Sequence, residues 1–197
     1  MRTRSRSRGQ QGAVLVEAAL ILPVLVLLVL GIIEFGLLFT SYSTANGSSR
    51  SGARLAATAY SQAGTNATTQ FAAADQIAAA AAADLKVLNN AVPTGMVIYK
   101  VNPSSGDGAP YGGFPGGGMV GGCTSSCIRY TWNAATETMV RQSGSWTNAD
   151  ACGVTVDSIG VYVQARHNFM TGFFGADHDA DGHTVMRLEP LPADQCG

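Results

Sequence analysis

The sequence has few charged residues and no excess of either sign. Of its 197 residues, 13% are Asp, Glu, Lys or Arg, and the formal net charge is −1. Soluble domains usually contain roughly 25% charged residues. Binding to nucleic acid requires clustered Lys and Arg, so nucleic acid is not an expected partner. Basic residues cluster at one place, near the N-terminus: Arg2, Arg4, Arg6 and Arg8.

Patterns of catalytic residues are missing as well. No serine or cysteine stands in a nucleophile-and-base pattern, and Ser143-Gly144-Ser145 lacks the strand-to-helix frame of a nucleophile elbow. A G-x-G-x-x-G pattern at residues 116–121 is followed by a cysteine and not by a helix pattern, which excludes a dinucleotide fingerprint. The sequence therefore predicts a protein that is not an enzyme.

A long apolar segment at residues 13–39 contains two charges, Glu17 and Glu34, with 16 uncharged residues between them. As a helix with its apolar flanks it is long enough to cross the ~30 Å hydrocarbon layer of a membrane. It is also longer than the roughly 7–15-residue apolar core of a removable signal. Arginines before such a segment stay on the cytoplasmic side. We therefore expect a single-pass protein of a bacterial-type cytoplasmic membrane whose C-terminal part lies outside the cytoplasm.

Glu17 is an unusual residue for a plain membrane anchor. A carboxylate near the centre of a bilayer costs on the order of 2.5–3.5 kcal/mol, and less toward the interface, so it usually has a partner. Pro23 also interrupts the helical hydrogen bonds, which is tolerated in membranes when neighbouring groups bond the freed carbonyl. The alternative for Glu17 is a side chain that extends to the interface.

Several short patterns in a fixed order carry a family resemblance. Gly12 followed by residues 13–17 is similar to the junction of type IV pilins, where a prepilin peptidase cuts after glycine. The further patterns lie at residues 8–13, 16–20, 23, 31–36 and 50–57, with residues 185–190 near the end. Together they resemble the TadE-like family, minor pseudopilins of the tight-adherence (Flp) type IV pilus system. Flp pilins have an aromatic residue where this sequence has Ala18, and an uncleaved anchor is the alternative.

The resemblance implies a subunit whose N-terminal helix packs into a filament base or an assembly complex. Cleavage after Gly12 would give Ala13 a free ammonium group, and this group and the Glu17 carboxylate of a neighbouring subunit would pair in lipid and set an axial stagger. The implied partners are a Flp-type pilin, other TadE-like subunits, the prepilin peptidase, the inner-membrane pilus assembly platform and the lipid bilayer.

The hydrophobic periodicity predicts an α+β fold. We expect a basic cytoplasmic leader at residues 1–12, a transmembrane helix and its external continuation at 13–63, and an external α+β domain at 64–197. That domain should contain a second, amphipathic helix, a Gly/Pro-rich loop and a small antiparallel sheet. The helix is expected at 68–88, the loop at 102–122, and the strands at 92–101, 128–132, 138–142, 159–169 and 184–188.

The four cysteines all lie in the predicted external part, where an oxidising compartment favours disulfides. Four cysteines allow three pairings, and we expect Cys123 with Cys127 and Cys152 with Cys196. Four reduced, buried thiols are the alternative.

An acidic run is the one candidate for a metal site. Asp177, Asp179 and Asp181 precede Gly182 and resemble the first half of a calcium loop, although Leu188 stands where a glutamate ligand is needed. Calcium is therefore a candidate cofactor, and a solvated turn is the favoured alternative. On the strand at 159–169, His167 lies on the apolar face, which predicts a hydrogen-bonded core or rim histidine.

Two functions compete with a pseudopilin. One is a membrane-tethered extracellular binding module with calcium as its candidate ligand, and the other is a secreted protein whose signal is removed. A mature N-terminus at Ala13 supports the pseudopilin, an intact arm leaves the first two open, and a start at Asn46 selects the third.

Overall fold

The fold is an α+β arrangement of two helices and a five-stranded antiparallel sheet, as expected. The computed structural model describes residues 8–64, 66–88, 90–114, 122, 125–144, 146, 149–152 and 155–196, and only the backbone of residues 8–11. The elements are α1 (Arg8–Gln62), α2 (Ala67–Leu85), β1 (Ala91–Lys100), β2 (Cys127–Asn133), β3 (Thr138–Ser143), β4 (Ser158–Asn168), β5 (Asp177–Arg187) and a short 3-10 helix (Ala193–Gln195). The strand order is β3-β2-β1-β4-β5.

The two helices are separated by a short turn at the expected position. Gly64 has a φ of +62°, which favours glycine, and it follows the last turn of α1. Asn66 caps α2, because its side-chain Oδ1 accepts a hydrogen bond of 2.8 Å from the backbone N–H of Thr68. Helix α2 ends at Leu85, three residues before the expected end.

The core lies between one face of the sheet and the two helices. Helix α1 contributes Ala53, Ala56 and Tyr60, so its C-terminal half is an integral part of the folded domain. Helix α2 packs mainly against α1 and more lightly against β1 and β3. Small side chains bring the two helices close together, and Ser48 Oγ donates a hydrogen bond of 2.9 Å across them to the carbonyl of Ala81.

Two glycines mark places where α1 lies close to its neighbours. A methyl group added at Gly52 would lie 3.1 Å from Val161 on β4, and one added at Gly182 on β5 would lie 2.7 Å from the backbone nitrogen of Asn46. A real Cβ would have to displace the helix backbone at the second position. The absence of a side chain at Gly182 therefore permits β5 to pack directly on α1.

Strand β5 differs from its predicted extent. It begins at Asp177 and not at Thr184, and it pairs with β4 along its whole length. The prediction of a loop at the acidic run is wrong. Its aspartates find polar partners on β4: Gln164 donates to Asp179 at 3.0 Å, and Arg166 lies 3.3 Å from Asp179 and 3.9 Å from Asp177.

The second face of the sheet is also covered over part of its area. Val97, Tyr99 and Tyr162 are buried there, with Phe114 packed against them. The segment before Phe114 makes turns along this face, closed by a bridge between Val101 and Pro110. Residues 102–114 of the expected loop lack helix and strand, while residues 115–121 lie outside the described residues.

The apolar helix and its contact with the folded domain

The N-terminal half of α1 extends away from the domain. Residues 12–29 are all exposed, although most of them are large and apolar. By length and composition this helix can cross a membrane, and no part of its most apolar window is buried by the described residues. An exposed apolar surface of this size is unstable in water, so it needs lipid or other apolar surfaces around it.

The expected processing residues Gly12, Ala13 and Glu17 lie on this exposed half. None of them contacts the sheet domain, and a methyl group added at Gly12 would meet no atom within 4 Å. Glu17 forms no hydrogen bond or ion pair with any residue that the structure describes. The structure therefore leaves this carboxylate available to a partner outside the chain.

The second glutamate of the apolar segment, Glu34, has the opposite surroundings. Its side chain is 1% exposed, although it stands among apolar residues of the same helix. The loop between β4 and β5 covers it, and the backbone N–H groups of Met170 and Thr171 donate hydrogen bonds of 3.1 and 2.6 Å to its two carboxylate oxygens. Two backbone donors replace the water that a buried carboxylate loses.

Two turns further along α1, Ser41 holds His167 of β4. Ser41 Oγ lies 3.0 Å from His167 Nδ1 and also donates to the carbonyl of Leu37 at 3.2 Å. Since the hydroxyl proton goes to Leu37, we assign the imidazole proton to Nδ1, which then donates to Ser41. The ring is fully buried, as expected for a core histidine, and its Nε2 has no hydrogen-bond partner among the described residues. Burial lowers the pKa of His167, and the nearby Glu34 carboxylate opposes part of this shift.

Serine, histidine and glutamate thus meet at this contact, but the geometry does not suit a nucleophile. In a serine hydrolase the base accepts the hydroxyl proton, whereas here Ser41 gives its proton to a backbone carbonyl. Each of the three side chains is at most 3% exposed, so no substrate reaches them. The arrangement is suited to fixing the helix against the sheet.

The acidic run lies beside this contact, on β5. Asp179 bonds to Gln164 and Arg166, and its backbone carbonyl accepts a hydrogen bond of 3.1 Å from the Tyr42 hydroxyl on α1. The same hydroxyl lies 3.0 Å from His178 Nε2. In the part of the chain that the structure describes, no group of three or more His, Cys, Asp or Glu side chains is close enough to hold a metal ion. The strand conformation separates Asp177, Asp179 and Asp181 along one edge and gives two of them a cationic neighbour.

A disulfide joins Cys152 to Cys196, the second of the two expected pairs. Its sulfur atoms are 2.03 Å apart, and it closes a separation of 44 residues. This bond holds the C-terminal segment against the loop that precedes β4. The expected pairing of Cys123 with Cys127 involves residue 123, which lies outside the described residues.

The contact around Glu34 is the site that the sequence patterns did not predict. In the sequence, Glu34 marks only the outer limit of the run of 16 uncharged residues. Its hydrogen-bond partners lie 136 and 137 residues later in the chain. Almost every residue has a backbone N–H group, so the residue types do not reveal which of these groups will bind a carboxylate. The one hint was the concentration of phenylalanine at residues 169–174, which is unusual for a turn between polar strand ends.

Comparison with known proteins gives one match. No curated protein and no solved structure matches the chain. A family model described as TadE-like protein matches residues 12–54, a range that holds the exposed apolar helix, Glu34 and Ser41 and ends within the packed half of α1. The N-terminal segment of this chain is therefore similar to that of TadE-like proteins.

Proposed function

We propose that this chain is a non-catalytic minor pseudopilin, or a related assembly subunit, of a tight-adherence (Flp) type IV pilus. Its N-terminal arm lies in the cytoplasm, α1 crosses the cytoplasmic membrane, and the sheet domain lies outside. Its partners are a Flp-type pilin, other TadE-like subunits and the inner-membrane assembly platform. It acts by packing against neighbouring subunits and positioning them.

The observation that carries this proposal is the isolated, exposed apolar half of α1 within the TadE-like match. A helix that the described residues of its own chain do not cover needs another apolar surface around it. Lipid suits it before assembly, and the apolar helices of neighbouring subunits suit it in a filament. The separation of this half from the sheet domain leaves its whole circumference free for both.

Glu17 supports an ordered assembly. After cleavage behind Gly12 by the prepilin peptidase, the new ammonium group on Ala13 would lie four residues from Glu17. At 1.5 Å per residue this is about 6 Å along the helix axis. Pairing of the ammonium group of one subunit with the carboxylate of the next would offset the two helices by that distance and neutralise both charges in lipid.

Cleavage is tested by the N-terminal sequence of the mature protein, recovered from cells that make the whole pilus system. We expect a start at Ala13, and we expect Gly12→Val to leave the arginine arm attached. Gly36→Ala is the matched control, because this glycine lies in the same helix and a methyl group there meets no atom within 4 Å. An intact arm in the wild-type protein would contradict processing, and a start at Asn46 would select a secreted protein.

Pairing is tested with Glu17→Gln, which removes the charge and keeps the shape. We expect membrane insertion to be unchanged and co-isolation with the Flp-type pilin to fall by about tenfold, equivalent to 1.4 kcal/mol. Glu189→Gln, an exposed position of the sheet domain, is the control and should leave co-isolation unchanged. Equal recovery of pilin with both variants would rule out pairing through Glu17.

A further inference from the structure

The loop between β4 and β5, residues 169–176, has an unusually apolar surface. Met170 is 70% exposed, Phe173 68% and Phe174 48%, and the loop contains no charged residue. Loops that face water are normally polar, and a group of exposed large apolar side chains indicates a contact surface. The occupant of this surface can be inferred from where the loop lies.

The loop is fixed to the outer part of the apolar helix. Its Met170 and Thr171 amides bind Glu34, as described above, and the ring of Phe174 lies 4.9 Å from that of Phe35. The exposed surface of the loop therefore continues directly into the exposed surface of α1, where Ile32, Ile33 and Phe35 are also uncovered.

The length of α1 places this surface at the membrane boundary. About 20 helical residues span the ~30 Å hydrocarbon layer, and residues 14–33 make up one such length. Glu34 and the attached loop then lie at its outer edge. Five of the seven phenylalanines of the chain are concentrated at this level: Phe35, Phe39, Phe169, Phe173 and Phe174. Aromatic rings with apolar neighbours are typical of segments that enter the interface between lipid headgroups and acyl chains.

The backbone of the loop also suits entry into lipid, where an N–H group without a partner costs several kcal/mol. Its amides are largely bonded within the protein. Met170 and Thr171 donate to Glu34, Phe169 donates to the carbonyl of Ala176, Gly175 donates to the carbonyl of Gly172, and Phe173 donates to the Thr171 hydroxyl.

We propose that the β4–β5 loop is a second membrane contact, whose Met170, Phe173 and Phe174 side chains enter the outer face of the same bilayer that α1 crosses. This inference rests on the membrane insertion in the proposed function and adds a surface of the sheet domain to it. The occupant is lipid and not a second protein, because the surface is continuous with the lipid-facing helix and lies where that helix leaves the hydrocarbon. The Glu34 carboxylate holds the loop at the outer edge of the hydrocarbon layer, and its hydrogen bonds to the two loop amides shield its charge from the lipid.

The test uses tryptophan fluorescence of the full chain in phosphatidylcholine vesicles that contain brominated acyl chains, which quench rings in contact with them. Phe173→Trp reports on the loop, Val24→Trp on the middle of the apolar helix, and Val140→Trp on β3 at the opposite edge of the sheet. The wild-type protein gives the background from Trp132 and Trp146. All three variants replace exposed side chains, so each should fold.

We expect the added emission of Phe173→Trp to be quenched most by bromines near the headgroups, that of Val24→Trp by bromines deep in the chains, and that of Val140→Trp by neither. Quenching at residue 24 without quenching at residue 173 overturns the loop contact and leaves the anchor in place. Loss of quenching at both residues overturns membrane insertion itself. If the tryptophan at residue 173 stays unquenched at both high and low protein-to-lipid ratios while the tryptophan at residue 24 is quenched, a second copy covers the loop and the lipid contact is wrong.

Discussion

Residues 12–29 and residues 41–62 belong to the same continuous helix, but their side chains differ in size and in exposure. The first stretch consists mainly of Val, Leu and Ile, which are exposed in the structure, whereas the second consists mainly of Ala, Ser and Gly, and much of it is buried. Large side chains suit a fluid lipid environment that adapts to any shape. Small side chains allow a helix to lie close to a sheet and to α2, with backbone nearly against backbone.

The two glutamates of the apolar segment show the same contrast in one residue type. Glu34 lies near the start of the packed half and obtains its partners from within the chain, while Glu17 lies in the exposed half and has none among the described residues. The comparison indicates that Glu34 serves the fold, whereas the role that we propose for Glu17 is in assembly.

Gly182→Ala should disrupt the packed half most strongly. The new methyl group would lie within 2.8 Å of the backbone of Ala45 and Asn46, and a helix backbone cannot move aside as a flexible side chain can. We expect a loss of about 3 kcal/mol in the free energy of unfolding, measured by urea denaturation of the full chain in detergent.

Gly47→Ala is the matched control for this substitution. Gly47 lies on the exposed side of the same helical turn, and a methyl group there meets no atom within 4 Å. Because alanine favours helix, we expect a gain of about 0.5–1 kcal/mol. If both substitutions had the same effect, close contact between α1 and β5 would not explain the glycine at residue 182.

Glu34→Gln should have a smaller effect and should separate the two glutamates. The amide keeps one oxygen acceptor, but its NH2 group faces the second backbone donor, so the loop loses a charge-assisted hydrogen bond. We expect the melting temperature of the sheet domain to fall by about 5 °C. Glu17→Gln, measured in the same detergent, should leave it unchanged, and equal shifts for the two variants would contradict their assigned roles.

The smallest effect expected is a dependence of stability on pH through His167. Its pKa is lowered in the folded state from the ordinary value of 6.5, so the unfolded chain takes up a proton first as the pH falls. The free energy of unfolding should be constant above about pH 7.5 and should decrease below about pH 6.5, as the proton favours the unfolded chain.

The measurement is the melting temperature between pH 7.5 and 5.5. His167→Asn should flatten the dependence in this range, while His183→Asn, which replaces an exposed ring, should retain it. A retained dependence in His167→Asn would assign the titration to another group.

The elements governed by local periodicity were predictable. The apolar segment predicted α1, the break between the helices was expected between residues 63 and 68, and strands β1 to β4 were placed within one residue of their observed ends. Each of these signals depends on neighbours in sequence, where side-chain size and hydrogen bonding act directly.

The contacts that depend on distant residues were not predictable in the same way. The first part of β5 has three aspartates and no apolar alternation, and its strand conformation depends on Gln164 and Arg166 of β4. Glu34 depends on two backbone amides of a distant loop, and the burial of both faces of β4 depends on a turn-rich segment across the sheet. In each case the deciding partner lies far along the chain and has no local pattern.

The continuity of α1 has a mechanical consequence. No flexible joint separates its exposed half from its packed half, and 55 residues at 1.5 Å per residue make a rod of about 80 Å. Transmembrane helices tilt by about 20° on average. If α1 crosses the membrane as we propose, any change in the tilt of this helix, set by lipid thickness or by a neighbouring helix, also rotates the sheet domain through the same angle.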